Sequence, residues 1–278
     1  MEMIFQKLAL AFNFSPNSRI LLQEAKRMQK LFSSKLLLIH IGKYDDETNQ
    51  KLTAVLEQEG VDSSNSEIIW RDGNPAFEII NICSEKQVEL LIAGALEKEN
   101  IIKFYIGSVA RKLMKFSPCS IMIYKIPIIP KQFKKIFVSI DYSQIGEKAM
   151  QIAYQIALRE GADDLNVIKE FYIPGLTATL QDPGTVGQFD EIIERSKHDE
   201  EEKVKVFLNE LNLKGVNVNI QCLYGKEKYV ERNYVDENHP DLYIVPSKIR
   251  KSTLLDRFIP TEMEHIFEDL PSNILIVR

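Results

Sequence analysis

Pro118-Cys119-Ser120-Ile121-Met122-Ile123-Tyr124-Lys125 stands near the middle of the chain, and Pro271-Ser272-Asn273-Ile274-Leu275-Ile276-Val277-Arg278 closes it, 153 positions later. Each octet opens on proline, runs through apolar residues and ends on a cation. Upstream, at the same offset, Tyr105-Ile106-Gly107-Ser108 is answered by Phe258-Ile259-Pro260-Thr261. The two copies also begin alike: Lys7-Leu8-Ala9-Leu10-Ala11-Phe12-Asn13 matches Lys135-Ile136-Phe137-Val138-Ser139-Ile140-Asp141 at an offset of 128. The difference between the offsets is extra sequence inside the second copy, near residues 174–202. Self-similarity on this scale means one folding unit used twice. The expected domains are 1–127 and 128–278. Lys125 to Lys131, with Pro127 and Pro130, forms a stiff, extended joint between them.

Within the first copy, short apolar runs alternate with longer amphipathic ones. Strands are expected at Leu8–Phe12, Lys35–Ile41, Glu67–Arg71, Leu90–Ala93 and Ser120–Lys125. Helical spacing falls between them at Ser18–Phe32, Asp46–Glu59, Pro75–Lys86 and Ser108–Phe116. Leu36-Leu37-Leu38-Ile39 is apolar on both faces, as a strand covered from two sides should be. Strand–helix alternation of this kind gives a parallel sheet with crossover helices. The chain is therefore expected to be α/β: two tandem doubly wound, Rossmann-like domains, each with a mainly parallel five-stranded sheet flanked by helices. In the second copy the extra stretch turns at Asp182-Pro183-Gly184 and enters a charged run, Ser196–Lys205, which reads as a lengthened, solvated helix.

Composition sets outer limits. The 278 residues are 45% hydrophobic and 27% charged, an ordinary globular balance, with a net charge of −5. An acidic chain of this kind is not built to neutralise nucleic-acid phosphates or anionic lipid. No apolar stretch approaches a membrane span, and the apolar start is too short and interrupted for a signal-peptide core. Cys83, Cys119 and Cys222 are widely spaced without a CxxC pair and read as buried, reduced thiols. A cytoplasmic location is expected.

Ligands of doubly wound sheets bind at the carboxyl ends of the strands, where strand order reverses. In the first copy the loop after the fourth strand runs from Gly94 to Gly107-Ser108, which opens a helix. Glycine lets backbone N–H groups approach an anion, and a helix amino terminus adds about half a positive charge. Ser108 is placed either to cap that helix, worth about 1 kcal/mol, or to donate to a phosphate. Val109, Ala110 and Arg111 leave the first turn free of acids. In the second copy Pro246 replaces Gly94 and Pro260 replaces Gly107, which removes two donors. Thr261-Glu262-Met263-Glu264 has capping-box spacing and two carboxylates. Lys248, Arg250 and Lys251 are the cations nearby, but the second site reads as closed.

These residues resemble the universal stress protein family in its tandem form. Its nucleotide-binding members carry Gly, two residues, Gly, nine residues and Gly-Ser/Thr; here the spacing survives as Gly94, Glu97 and Gly107-Ser108, with glutamate in the middle. An Asp after the first strand, facing the adenine or ribose, is matched by Asn13 in the first copy and Asp141 in the second. Gly73-Asn74-Pro75 is similar to the Gly-x-Pro before the third helix, and His40-Ile41 to the end of the second strand. The resemblance implies a stress-response binding role at an adenine-nucleotide pocket (ATP, ADP or AMP) in the first domain. Gly94, Gly107, Ser108 and Val109 would stand on the phosphate side, with Asn13 and Ile41 near the base. Glu97 sets a carboxylate beside those phosphates unless Lys98, Lys103 or a divalent cation offsets it. The resemblance also implies that the two fifth strands meet at a pseudo-twofold contact, and it leaves room for a homodimer of tandem chains.

Catalytic signals are weaker. The four histidines lack metal-ligand spacing, and there is neither a Gly-x-Ser-x-Gly elbow nor a GxxxxGK[ST] loop. Trp70 reads as a packing residue, and the acidic clusters Asp45-Asp46-Glu47 and Glu200-Glu201-Glu202 as solvated faces. The expectation is a protein that binds rather than turns over. Its rivals are a nucleotide-free scaffold or signalling module acting through protein contacts, and a slow ATPase.

Overall fold

The computed structural model describes residues 4–15, 17–94, 107–125, 131–174, 176, 186–225, 229–247, 270 and 272–278. The chain alternates β1 (Lys7–Ala11), α1 (Ser18–Phe32), β2 (Lys35–Ile41), α2 (Asp46–Gln58), β3 (Ser66–Arg71), α3 (Pro75–Glu85), β4 (Leu90–Gly94), α4 (Ser108–Phe116) and β5 (Ser120–Tyr124). The second copy follows with β6 (Lys135–Ser139), α5 (Gln144–Glu160), β7 (Asp164–Phe171), α6 (Val186–Glu210), β8 (Val218–Tyr224), α7 (Tyr229–Asn238), β9 (Leu242–Pro246) and β10 (Asn273–Val277). The fold is α/β with parallel ladders flanked by helices, and the expected boundaries in the first copy hold to within one or two residues. Of the second copy's stretches, Asp182-Pro183-Gly184 and residues 248–269 lie outside the described residues. So do residues 95–106, with Glu97, Lys98 and Lys103, and Ile126–Pro130 of the joint.

Two compact units form. The first holds β1–β5, α1–α4 and β10; the second holds β6–β9 and α5–α7. In the first unit the strand order is β3-β2-β1-β4-β5-β10. β1 lies between β2 and β4 and runs parallel to both, with Ala9 opposite Leu37 on one side and Leu91 on the other. It is apolar on both faces, and Leu8, Ala9 and Leu10 are wholly buried. α1 presents Leu22, Ala25, Met28 and Phe32 to this sheet and ends on Ser33, whose left-handed backbone (φ 56°) returns its N–H to the carbonyls of Gln29 and Lys30. Burying such helix and strand faces supplies most of the stability, at about 25 cal/mol per Å² of apolar surface.

The repeat assigns the last strand to the second copy, yet β10 packs in the first unit. It runs antiparallel to β5, with Ile276 opposite Ile121, Leu275 opposite Met122 and Ile274 opposite Ile123. The two fifth strands therefore meet, as the resemblance implies. An apolar strand such as β5 would otherwise be an open edge. Arg278, just past β10, donates to the carbonyls of Met114 and Ser117 and so holds the carboxyl end of α4.

In the second unit the order is β9-β6-β7-β8, all parallel. The charged run of the extra segment lies within α6, which has 25 residues where α2 has 13. This helix is not solvated all round. Val204 is wholly buried, and Glu200 accepts a hydrogen bond from the Tyr142 hydroxyl at 3.0 Å. Among the described residues no helix is long and apolar enough to cross a membrane.

The β5–β10 ladder is testable. Leu275→Ala should cost about 2–5 kcal/mol in urea unfolding. Deleting Asn273–Arg278 should yield species larger than the full chain in light scattering.

Candidate functional site

In the first unit the chain turns one way from β1 to β2 and the other way from β3 back to β4, so the carboxyl ends of β1 and β4 diverge. A cavity of about 250 Å³ opens there. Its walls are apolar: Ala11 and Phe12 from β1 and its end, Ile39 and Ile41 from β2, Ala93 and Gly94 from β4, Pro75 and Ile79 from α3, and Val109, Ala110 and Leu113 from α4. Asn13, Ser15 and Asn17 supply the polar rim. α3 and α4 pack on each other and frame one side.

Of the six residues singled out in the sequence, Asn13, Ile41, Gly94 and Val109 line this cavity. Gly107 and Ser108 stand next to Val109 but are not in its walls. Gly107 is the residue that caps α4, with φ −59° and ψ 159°. Ser108 is already the first helical residue and is exposed, so of its two readings the capping one does not hold, and no described side chain caps α4. The neighbouring helices differ here. Asp45 accepts from Thr48 N–H at the start of α2, and Asn74 from Phe77 N–H at the start of α3. Among the described residues the first-turn N–H groups of α4 thus have no side-chain acceptor, and no acid stands in that turn. The φ of Gly107 is one that any residue adopts, so glycine is not demanded there by backbone conformation.

Asn13 has a second duty. Its side-chain oxygen accepts from Ser15 N–H at 3.1 Å and from the Ser18 hydroxyl, building the turn into α1. Among the described residues its amide N–H₂ has no hydrogen-bond acceptor. Asp141 builds the same turn in the second unit, accepting from Ser143 N–H at 3.1 Å. Sequence reasoning marked Pro75 through its Gly-x-Pro but missed Ile79 one turn later. The signal was the i, i+4 spacing of the two on α3. Gly73, just before, takes φ 141°, a backbone that favours glycine.

A row of rings covers the β1–β3 side of the same edge. Phe12, Phe14, His40, Trp70 and Tyr44 succeed one another, with His40 and Trp70 centroids 4.5 Å apart. Trp70 is packed in this row, and His40 adds a 3.2 Å hydrogen bond between Nδ1 and the Phe12 carbonyl. None of the described residues lining the main cavity is basic. Arg19 and Lys51 instead line a neighbouring cavity of about 380 Å³ that shares Phe12 and Ser15 with it.

The second unit has rebuilt the corresponding place. Strand registers set Ala11 against Ser139 and Ile41 against Glu170. They likewise set Ser66 against Val218 and Leu90 against Leu242, an offset of 152 that carries Ile79 onto Glu231 and Gly94 onto Pro246. Two apolar walls have therefore become carboxylates. Glu231 is wholly buried and accepts a hydrogen bond from the Tyr243 hydroxyl at 2.5 Å, and its N–H donates to Glu170 at 3.3 Å. Burial, and then the Glu231 charge, push the Tyr243 phenol far above its usual value, so it stays a donor. Pro260 and the Thr261–Glu264 capping box lie outside the described residues. Tyr243→Phe removes the donor to a buried carboxylate and should lower stability by about 1–3 kcal/mol in denaturant titration.

Comparison with known proteins follows the same lines. Residues 42–125 match the universal stress protein family. Universal stress protein YxiE of Bacillus subtilis is 24% identical over 148 residues, which span 44% of this chain and 100% of that protein. A universal stress protein of Methanothermobacter thermautotrophicus is 34% identical over 53 residues, 19% of this chain and 36% of its own length. A universal stress protein from Archaeoglobus fulgidus, solved by crystallography, superposes with a TM-score of 0.70 over 98% of both chains, at 16% identity. At that identity the likeness concerns the fold.

Proposed function

Because residues 42–125 match the universal stress protein family, we propose that the first unit binds an adenine nucleotide and that the protein acts through this binding rather than by catalysis. The observation that carries the reading is the cavity between the diverging ends of β1 and β4, bordered by the amino terminus of α4, which no described side chain caps. Ile41 and Ile79 offer an apolar slot to a flat base, with Asn13 as hydrogen-bonding group at its rim. The first-turn N–H groups of α4 offer donors to phosphate, aided by the helix dipole. Gly94 keeps the β4 side open. Ser108, at the first helical position, is placed to add a hydroxyl.

The second unit takes a supporting role in this proposal. Glu170, Glu231 and Asp141 stand where the first unit has Ile41, Ile79 and Asn13, and three carboxylates repel a phosphate ester. The nucleotide-free scaffold remains the second reading. It is favoured by the lack of a basic side chain in the described walls of the cavity, since backbone donors alone would have to hold the phosphates.

Calorimetric titration of the purified chain with ATP, ADP and AMP, with and without Mg²⁺, separates the two. Saturable binding below about 1 mM is expected, and its absence at several millimolar would leave the scaffold reading. Val109→Glu, which puts an acid in the first turn of α4, should weaken binding at least tenfold. Gly107→Pro is compatible with the observed φ and removes one N–H, so it should weaken binding without unfolding the chain. Phosphate release faster than from a Ser108→Ala variant would instead establish turnover.

A further inference from the structure

The cavity of about 380 Å³ beside the main one lies between two helices of the first unit and has a size that suits a small ligand. The first turn of α1 supplies Arg19, and α2 supplies Lys51, Ala54, Val55 and Gln58. Phe14 adds an aromatic wall. It is 45% exposed, yet edge-to-face contacts with Phe12 at 5.6 Å and with His40 at 5.2 Å hold it in place. Arg19 donates from Nη2 to Gln58 Oε1 at 3.2 Å, which steadies the guanidinium, and among the described residues it has no carboxylate partner. Lys51 is a second cation, but Glu47 already holds it at 2.6 Å. Arg19 is the cation that an anion in this cavity would meet.

The second unit shows what such a place accommodates. Strand registers set His40 against Lys169, and the matching turns after β1 and β6 set Phe14 against Tyr142. There α6 is the crossover helix between the second and third strands, as α2 is in the first unit. It brings Phe207, whose ring stands edge to face with Tyr142 at 5.6 Å. It also brings Glu200, whose carboxylate accepts from the Tyr142 hydroxyl at 3.0 Å and lies 3.8 Å from Lys169. An aromatic ring and a carboxylate of the chain itself thus pack against Tyr142. The α2 residues that line the first unit's cavity include neither. Arg19, in turn, stands where the second copy has Glu147, at the offset of 128 that aligns the two turns, so the charge at this corner is reversed.

We propose that the cavity between α1 and α2 binds a small aromatic carboxylate, with its ring against Phe14 and Val55 and its carboxylate on Arg19. Phe14, Ala54 and Val55 remove a flat apolar ring from water. The planar guanidinium fork matches the two oxygens of a carboxylate and holds them in one orientation. The ligand supplies from solution the ring and the carboxylate that Phe207 and Glu200 supply within the second unit. Neither Arg19 nor any described α2 residue lines the main cavity, so this site and the one proposed for a nucleotide share only Phe12 and Ser15 among their described walls.

The probe is naphthoate, titrated calorimetrically into the purified full chain, with naphthalenemethanol as the ring without the charge and acetate as the charge without the ring. Naphthoate should bind saturably with a Kd between about 10 μM and 1 mM, and each control about tenfold more weakly or worse. Arg19→Gln should weaken naphthoate about tenfold, and Arg19→Lys should recover part of that loss. Ala54→Trp, at an exposed position of α2, should fill the cavity and abolish binding without altering the circular dichroism of the chain. ATP should leave naphthoate affinity unchanged. The proposal is overturned if naphthoate does not saturate at several millimolar, if naphthalenemethanol binds as tightly, or if Arg19→Gln and Ala54→Trp bind as the wild type does. Displacement of the probe by ATP would put it in the main cavity and overturn the proposal too. So would a lower oligomeric state of Ala54→Trp in sedimentation velocity, which would give the groove to a second copy of the chain. The titrations of the wild-type chain decide even if a variant fails to fold.

Discussion

β1 is hydrogen-bonded on both sides, to β2 and to β4, although β4 lies some eighty residues further along the chain. A strand so placed must be apolar on both faces and must send its two neighbours' connections in opposite directions. Everything else in the first unit depends on that constraint. Leu8, Ala9 and Leu10 are buried because helices cover both faces. The crevice exists because the loops leaving β1 and β4 part company, and α3 and α4 arrive at it because they lead into and out of β4. The cavity is a consequence of strand order before it is a consequence of any side chain.

The two copies show how little must change to alter such a crevice. Both keep the turn after the first strand, made by Asn13 in one and Asp141 in the other. In the first unit Ile41 and Ile79 leave an apolar slot. In the second, Glu170 and Glu231 stand at the equivalent positions, and the Tyr243 hydroxyl donates to Glu231 from within the sheet. A buried carboxylate is tolerated only with such a donor, so the substitution of Ile79 by Glu231 and the presence of Tyr243 are one change rather than two.

Much of this was legible in the residues. Helix spacing and two-sided apolar strands placed nine elements of the first copy, and the repeat supplied the rest of the architecture. Gly94, Asn13, Ile41 and Val109 were readable because the carboxyl edge of such a sheet is fixed by topology. Other features were hidden. Ser108 looks like a helix cap, but the backbone enters the helix one residue earlier, and a cap is decided by φ and ψ. Pro75 and Ile79 reach the cavity only through the packing of α3 on the sheet.

The sequence by itself determined the duplication, the α/β class and the chemical character of each loop, because these follow from local propensity and from period. Tertiary structure alone decided where the last strand goes and which side chains share a site. β10 carries the pattern of the second copy's own fifth strand, yet it completes the first unit beside β5. An apolar strand states only that it needs a partner. Which edge it finds is settled by the geometry of the whole chain.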